Sequence, residues 1–330
     1  MELIVTRNKH EETSPATPTI AQIQEIATVQ NATLVEYSII YDELKIAGKR
    51  QFKESEIYIW VIKPTGEVAF KKVDLKSLKI PLKELVSTTR TSMGVRSKQF
   101  SAIVKQPLAN PQEQTEKLQQ LHQLLIKPIA QILPQDDNSR VIFIPHQDLF
   151  LAPFPALMDA DDKYLIEKHT ILTAPSIQVL ALTKEQRQKL ANKSGEYLIV
   201  GNPSPMPPGF EPLSGAEKEA KAIAKLLNVK PLIGLQATES KITQKLPSAK
   251  LIHLATHGIV HKSQQQLNFI SFSQSADTLN ADQLLFLKDL LPYNWEIDFV
   301  FLSACQTASG EFIEGEGNMS LARGLAYAGV

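Results

Sequence analysis

Apolar positions along the chain fall into two textures that change near residue 140. Before that point they recur mainly at helical or alternating spacing. Ile20, Ile23, Ile26 and Ala27 predict an amphipathic helix over Ile20–Gln30. Thr33–Asp42 alternates as a strand does, and Ile57–Phe70 reads as a hairpin turning at Pro64-Thr65-Gly66-Glu67. Leu82–Val86 has the pattern of a short helix and Arg90–Lys98 that of a polar loop. Gln112–Leu133 carries a helical stripe of Leu118, Leu121, Leu124, Leu125, Ile129 and Ile132. Pro128 should kink or split it, because proline lacks the N–H and crowds the preceding turn. No helical repeat is present; a tetratricopeptide array would show one at about 34 residues.

From Arg140 onward, short continuous apolar runs alternate with helical patterns. Val141–Pro145, Tyr197–Gly201, Leu251–Ala255 and Phe299–Leu302 read as strands buried on both faces. Leu149-Phe150-Leu151, Tyr164–Lys168, Thr170–Thr173 and Leu232-Ile233 read as short strands. Helices are predicted over Ser176–Leu190, from a Ser214/Glu217 capping box to Leu227, from near Thr238, over Ala281–Leu287 and from Asn318 to Ala328. This alternation predicts an α/β fold with a largely parallel sheet and helices on both faces. A smaller α/β region over 20–109 precedes it, and residues 1–19 form a polar tail. In such sheets chemistry gathers at the carboxyl ends of strands.

Two of those strand ends carry reactive side chains. Leu251–Ala255 runs into Thr256-His257-Gly258, and Phe299–Leu302 into Ser303-Ala304-Cys305-Gln306-Thr307. Cys305 is the only cysteine of the chain. Free cysteine is most often a small buried hydrophobe, but a core cysteine would sit inside the apolar run, and this one lies past its end. A thiol needs a neighbouring base to become a nucleophile near neutral pH, and neighbouring strands would bring His257 to it. The residues therefore predict a Cys305 nucleophile and a His257 general base and acid. The backbone N–H groups of Gly258 and Cys305 are the predicted oxyanion donors.

Competing chemistries fit less well. His253, His257 and His261 recur every four residues, the spacing of zinc ligands on a helix. Here the histidines lie on a strand, Gly258 would break a helix, and no glutamate separates them. No G-x-S-x-G elbow and no phosphate-binding loop occurs. No metal or cofactor is predicted. Gly315-Glu316-Gly317 fits either a flexible loop or the rim of a cleft.

Composition narrows the setting. Hydrophobic residues make up 43% of 330, enough for a substantial core in one large domain or two. Lys+Arg and Asp+Glu are both 35, so no basic excess points to nucleic acid. No apolar run is long enough to span a bilayer. A single cysteine and the absence of a signal-peptide core fit a reducing, cytoplasmic setting.

These stretches together resemble the CHAT domain family, caspase-like cysteine peptidases related to caspases and separase. The resemblance rests on Val141–Pro145 with Leu151–Leu157, on Tyr164–Lys168, Ala174-Pro175-Ser176 and Val200–Pro203. It rests further on Leu251–Gly258, Leu302–Thr307 and Gly315-Glu316-Gly317 with Leu321-Ala322-Arg323. It covers about residues 110–330. It implies a caspase-like sheet with a His257/Cys305 dyad and an endopeptidase acting on protein substrates. It also implies tetratricopeptide repeats in many relatives. The family's domain continues past the position of Val330 with a further strand and helix, so the C-terminal strands are expected to be missing here. A partner protein or a further segment would then complete the sheet. The rival expectation is a catalytically silent interaction module on the same fold.

Overall fold

The computed structural model describes residues 18–46, 49–94, 110–136, 139–182, 194–259, 269–273, 284–286, 297–304, 310–313, 317–320 and 325. Cys305, His261, Gly315 and Glu316 lie outside the described residues. The chain divides into two compact units, Thr17–Leu180 and a second from Ala181 onward.

The first unit opens with helix α1 (Ile20–Gln30). Thr19 caps it, its Oγ1 accepting the Gln22 N–H while the Gln22 side chain accepts the Thr19 N–H in return. The apolar stripe predicted from sequence packs Ala27, Ile23 and Ile26 against Leu34, Ile62 and Ile142. Strands β1 (Thr33–Ile46), β2 (Lys49–Ile62) and β3 (Val68–Asp74) form an antiparallel ladder. Helices α2 (Leu82–Ser92) and α3 (Pro111–Leu125) follow. Then β4 (Ser139–Ile144) pairs in parallel with β1, and β5 (His169–Thr173) with β4, giving the order β3-β2-β1-β4-β5. Residues before 110 and after 139 thus share one sheet. Its core face, with Val35, Tyr37, Ile59, Val61 and Phe143, packs against Leu82, Leu85 and Leu121. The Tyr37 hydroxyl, its pKa pushed up by burial, donates to the Leu125 carbonyl at 2.9 Å.

Several local expectations in this unit change. Helix α2 extends to Ser92, so the expected loop at Arg90 begins later. Thr89 and Ser92 are buried on the same face as Leu82, Leu85 and Val86, with their hydroxyls bonded to the Leu85 and Thr89 carbonyls. Polar identity hid that face from a purely hydrophobic reading. Leu149–Leu151 falls in a 3₁₀ turn (Gln147–Leu151), and Leu165–Glu167 is another; neither is a strand. As Pro128 predicts, α3 stops at Leu125 and a 3₁₀ turn, Lys127–Ile129, takes over. A helix α4 begins at residue 177, described to 182, with the Val179 N–H donating to Ser176 Oγ.

The second unit contains a four-stranded, wholly parallel sheet: β6 (Glu196–Pro203), β7 (Leu232–Gly234), β8 (Ala249–Ala255) and β12 (Phe299–Ser303), in the order β12-β8-β6-β7. Helix α5 (Ser214–Leu226) covers one face through Ala220 and Ala224 against Ile199. Helix α6 (Glu239–Lys245), capped by Thr238, covers the other with Ile242 packed in a cluster with Val200, Ile252 and Leu254. Gly201 lets α5 approach: a Cβ there would stand 2.5 Å from the Ala220 Cβ and 2.6 Å from the Ala216 carbonyl oxygen.

Four expectations change here. Ser214 is the first residue of α5 and not its cap, and no capping box forms. Glu217 instead accepts from Asn202 and Lys221, which lower its pKa, Lys221 contributing more. Leu284–Phe286 is a strand, β11, where a helix was expected; it pairs with β10 (Phe269–Ser271), which pairs with β9 (Gly258–Ile259). Asn318 lies inside a strand, β14 (Gly317–Ser320), paired with β13 (Gly310–Ile313), and caps no helix. Finally, β12 is buried on one face only. Val300 and Leu302 join the cluster on the α6 side, while Phe299 and Phe301 on the other side are 52% and 49% exposed. Among the described residues β12 is the sheet edge.

Candidate functional site

The parallel ladder sets the frame. Gly201, Ala255 and Ser303 are register partners across β6, β8 and β12, in one row at the carboxyl ends of the strands. His257 comes two residues after Ala255. Cys305 comes two residues after Ser303 in the sequence, and its own position lies outside the described residues.

His257 is held from two directions. Its carbonyl accepts the Ser271 N–H at 3.0 Å, tying the segment after β8 to β10. Thr256, buried beside it, donates its hydroxyl to the Ser271 carbonyl at 2.9 Å. The imidazole packs at 5.1 Å from the Phe210 ring, and its Nε2 lies 2.8 Å from the Glu211 carbonyl oxygen. A carbonyl oxygen only accepts, so Nε2 carries the proton. In the neutral ring Nδ1 then holds the lone pair. Among the described residues nothing bonds Nδ1, so this nitrogen is the one able to take a proton from a thiol.

Gly258 faces Ile270 across β9 and β10. Because the Ser271 N–H reaches back to the His257 carbonyl, Gly258 and Ile270 form a non-hydrogen-bonded pair, and the Gly258 N–H points away from β10. That orientation suits a donor directed at a ligand.

The loop that orients His257 follows β6. Asn202, in the left-handed region at φ 44°, is buried and bonded at both ends of its side chain. Its Oδ1 accepts the Leu213 N–H at 2.6 Å, and its Nδ2 donates to Glu217 Oε2 at 3.0 Å. One side chain thereby clamps the two ends of the 203–212 loop, which presents Phe210 and the Glu211 carbonyl. Sequence reasoning registered that loop only as proline-rich. A backbone carbonyl has no side-chain signature, so its role was not readable; the asparagine before a proline at a strand end was the one available sign.

His253 packs inside the sheet. It is 3% exposed within β8, its ring stacked on Phe301 at 5.0 Å and 13°. Its Nε2 lies 2.9 Å from Glu219 Oε1 on α5, off the direction of a hydrogen bond. The ring links β12 to α5. Among the described residues no three His, Cys, Asp or Glu groups converge on a metal position, and no helix is long and apolar enough to cross a membrane.

The architecture gives the class: a parallel α/β sheet with helices on both faces and its candidate chemistry on the carboxyl rim. The family comes from comparison. The CHAT domain model matches residues 115–330, and the chain belongs to that family. Among curated proteins it is similar to human tetratricopeptide repeat protein 28, 26% identical over 189 residues, which is 52% of this chain and 7% of the relative. The mouse protein of the same name is 23% identical over 259 residues, 64% of this chain and 10% of the relative. The chain thus spans a tenth or less of the length of these relatives.

Proposed function

We propose that this CHAT domain is a cysteine endopeptidase in which Cys305 attacks a peptide carbonyl and His257 handles the protons. His257 Nδ1 takes the thiol proton, and the thiolate sulfur adds to the carbonyl carbon. The Gly258 and Cys305 N–H groups hold the developing oxyanion. As the carbon–nitrogen bond breaks, the imidazolium returns its proton to the leaving amine. Water, deprotonated by the neutral ring, then cleaves the thioester and restores the thiol. No cofactor enters. The observation that carries this reading is the tautomer set by the Glu211 carbonyl, which leaves a basic nitrogen at the rim of a strand paired with the cysteine strand. A thiol nucleophile also suits a reducing, cytoplasmic setting.

A peptide-like electrophile, such as a peptidyl acyloxymethyl ketone, tests it. Cys305 should label selectively, and His257→Ala should slow labelling by about 10²- to 10⁴-fold, the usual worth of positioned proton transfer. Equal and slow labelling of both proteins would sink the peptidase reading.

One observation favours a second reading, a silent interaction module. The exposed Phe299 and Phe301 lie on a strand that is the sheet edge among the described residues, the arrangement a partner strand or helix would cover. In that case Phe301→Ser abolishes partner capture while His257→Ala leaves it intact.

A further inference from the structure

We propose that the cavity between the carboxyl-terminal half of α3 and the loop from Asp159 to His169 binds a small organic anion, independently of the His257 site. The cavity measures about 690 Å³ and lies wholly within the first unit. That volume falls in the range of about 300–1,000 Å³ typical of pockets for whole organic ligands. An inorganic ion would leave most of it to water.

The lining sets the chemistry. Ile126, Leu133 and Leu165 supply apolar surface, Lys163 and Lys168 supply cationic heads, and His122, His169, Gln131 and Gln135 supply neutral polar groups. Asp159 is the only carboxylate among the lining residues, and three hydrogen bonds already engage it. Its Oδ1 accepts the N–H groups of Asp161 and Lys163, both at 2.9 Å, and its Oδ2 accepts Lys168 Nζ at 2.6 Å. Burial works against the Asp159 charge, but these bonds override it and hold its pKa at about 2. The carboxylate therefore anchors Lys168 and offers little to a cationic ligand. Lys163 has only a 3.8 Å contact with Glu167, and its side chain is 60% exposed. Such a surface pair is weak, so the ammonium can turn to an anion at low cost. His122 is half-buried. Burial lowers its pKa, Asp159 opposes that, and Lys168 and Lys127 add to it. An anion held nearby would reverse part of that shift. The site thus has two ammonium groups, an apolar surface and no carboxylate among its lining residues beyond the engaged Asp159, which selects a molecule with an acidic head and an apolar body.

The test is NMR titration and calorimetry on the full chain with hexanoate, phenyl phosphate, inorganic phosphate and benzylamine. The organic anions should bind saturably, and the titration of the His122 ring should move to higher pH when they do. Lys163→Ala, at an exposed position that leaves the fold intact, should weaken binding about tenfold, the worth of one charge-assisted hydrogen bond. His122→Gln should remove the shifting histidine signal without unfolding the chain. Inorganic phosphate binding as tightly as phenyl phosphate would overturn the organic assignment, and benzylamine binding as tightly would overturn the anionic one. Absence of saturable binding at about 10 mM, far weaker than pocket ligands of this size usually bind, would overturn the site.

Discussion

Each unit places a histidine just past the carboxyl end of a central parallel strand, and the two histidines are wired oppositely. His146 follows β4 in the first unit, and its Nδ1 accepts the Ile39 N–H at 3.0 Å. That lone pair is committed to the backbone, and burial lowers the pKa of the ring. His257 follows β8 in the second, and its Nε2 donates to the Glu211 carbonyl, leaving Nδ1 as the basic nitrogen. Position at a strand end is common to both. What separates a structural staple from a candidate base is which ring nitrogen the backbone takes, and whether it takes a lone pair or a proton.

The most severe test of this contrast exchanges the roles. His257→Ala should slow Cys305 labelling by about 10²- to 10⁴-fold with little change in thermal unfolding. His146→Ala should leave labelling unchanged and destabilise the first unit by about 1–3 kcal/mol, the cost of leaving the Ile39 N–H without its acceptor. If His146→Ala abolishes labelling in a chain whose thermal unfolding is otherwise unchanged, the division of labour is wrong.

Gly201→Ala attacks the scaffold of the second unit alone. With its Cβ within 2.6 Å of α5, overpacking should cost about 1–3 kcal/mol or more, read by denaturant unfolding. Asn202→Ala should cost about 1–3 kcal/mol by freeing the Leu213 N–H. It should also slow labelling about tenfold, because the loop that sets the His257 tautomer loses its clamp and roughly 1.4 kcal/mol of alignment. Loss of stability at unchanged labelling rate would show that the Glu211 carbonyl does not orient the imidazole.

A smaller effect is expected in the pH dependence of the first unit. Burial lowers the pKa of both His122 and His146 in the folded first unit. Their folded pKa values lie below the unfolded value, so as pH falls through the unfolded pKa the unfolded chain binds protons first and stability falls with it. Unfolding midpoints should drop on going from about pH 7.5 to 5.5, around the ordinary histidine value. The drop should be smaller in a His122→Gln, His146→Gln double variant. The smallest effect expected is from Phe301→Leu, which removes the stack on His253 and should cost at most about 1.5 kcal/mol.

Much of this architecture was legible before any coordinates. Periodicity located α1, the β2–β3 hairpin, the break of α3 at Pro128 and the strands of the parallel sheet, because each rests on local spacing and on residues with fixed backbone preferences. The His-Gly and Cys segments stood out as strand ends. Local reading failed where a distant partner decided the outcome. Ser214 and Glu217 have capping-box spacing, but Asn202 claims the glutamate. The polar face of α2 was hidden because Thr89 and Ser92 bury their hydroxyls in bonds to their own helix. Leu284–Phe286 became a strand because β10 was there to pair with it.

By itself the sequence determined the α/β class, the CHAT resemblance and which residue types are candidates for chemistry, since apolar periodicity and side-chain chemistry are written residue by residue. Only the tertiary structure decided that residues before 110 and after 139 share a sheet, that β12 buries a single face, and that His257 presents Nδ1. Each of these depends on a backbone group or a neighbouring layer brought close by folding. A carbonyl oxygen such as that of Glu211 is the same in every residue, and its meaning comes from where the chain places it.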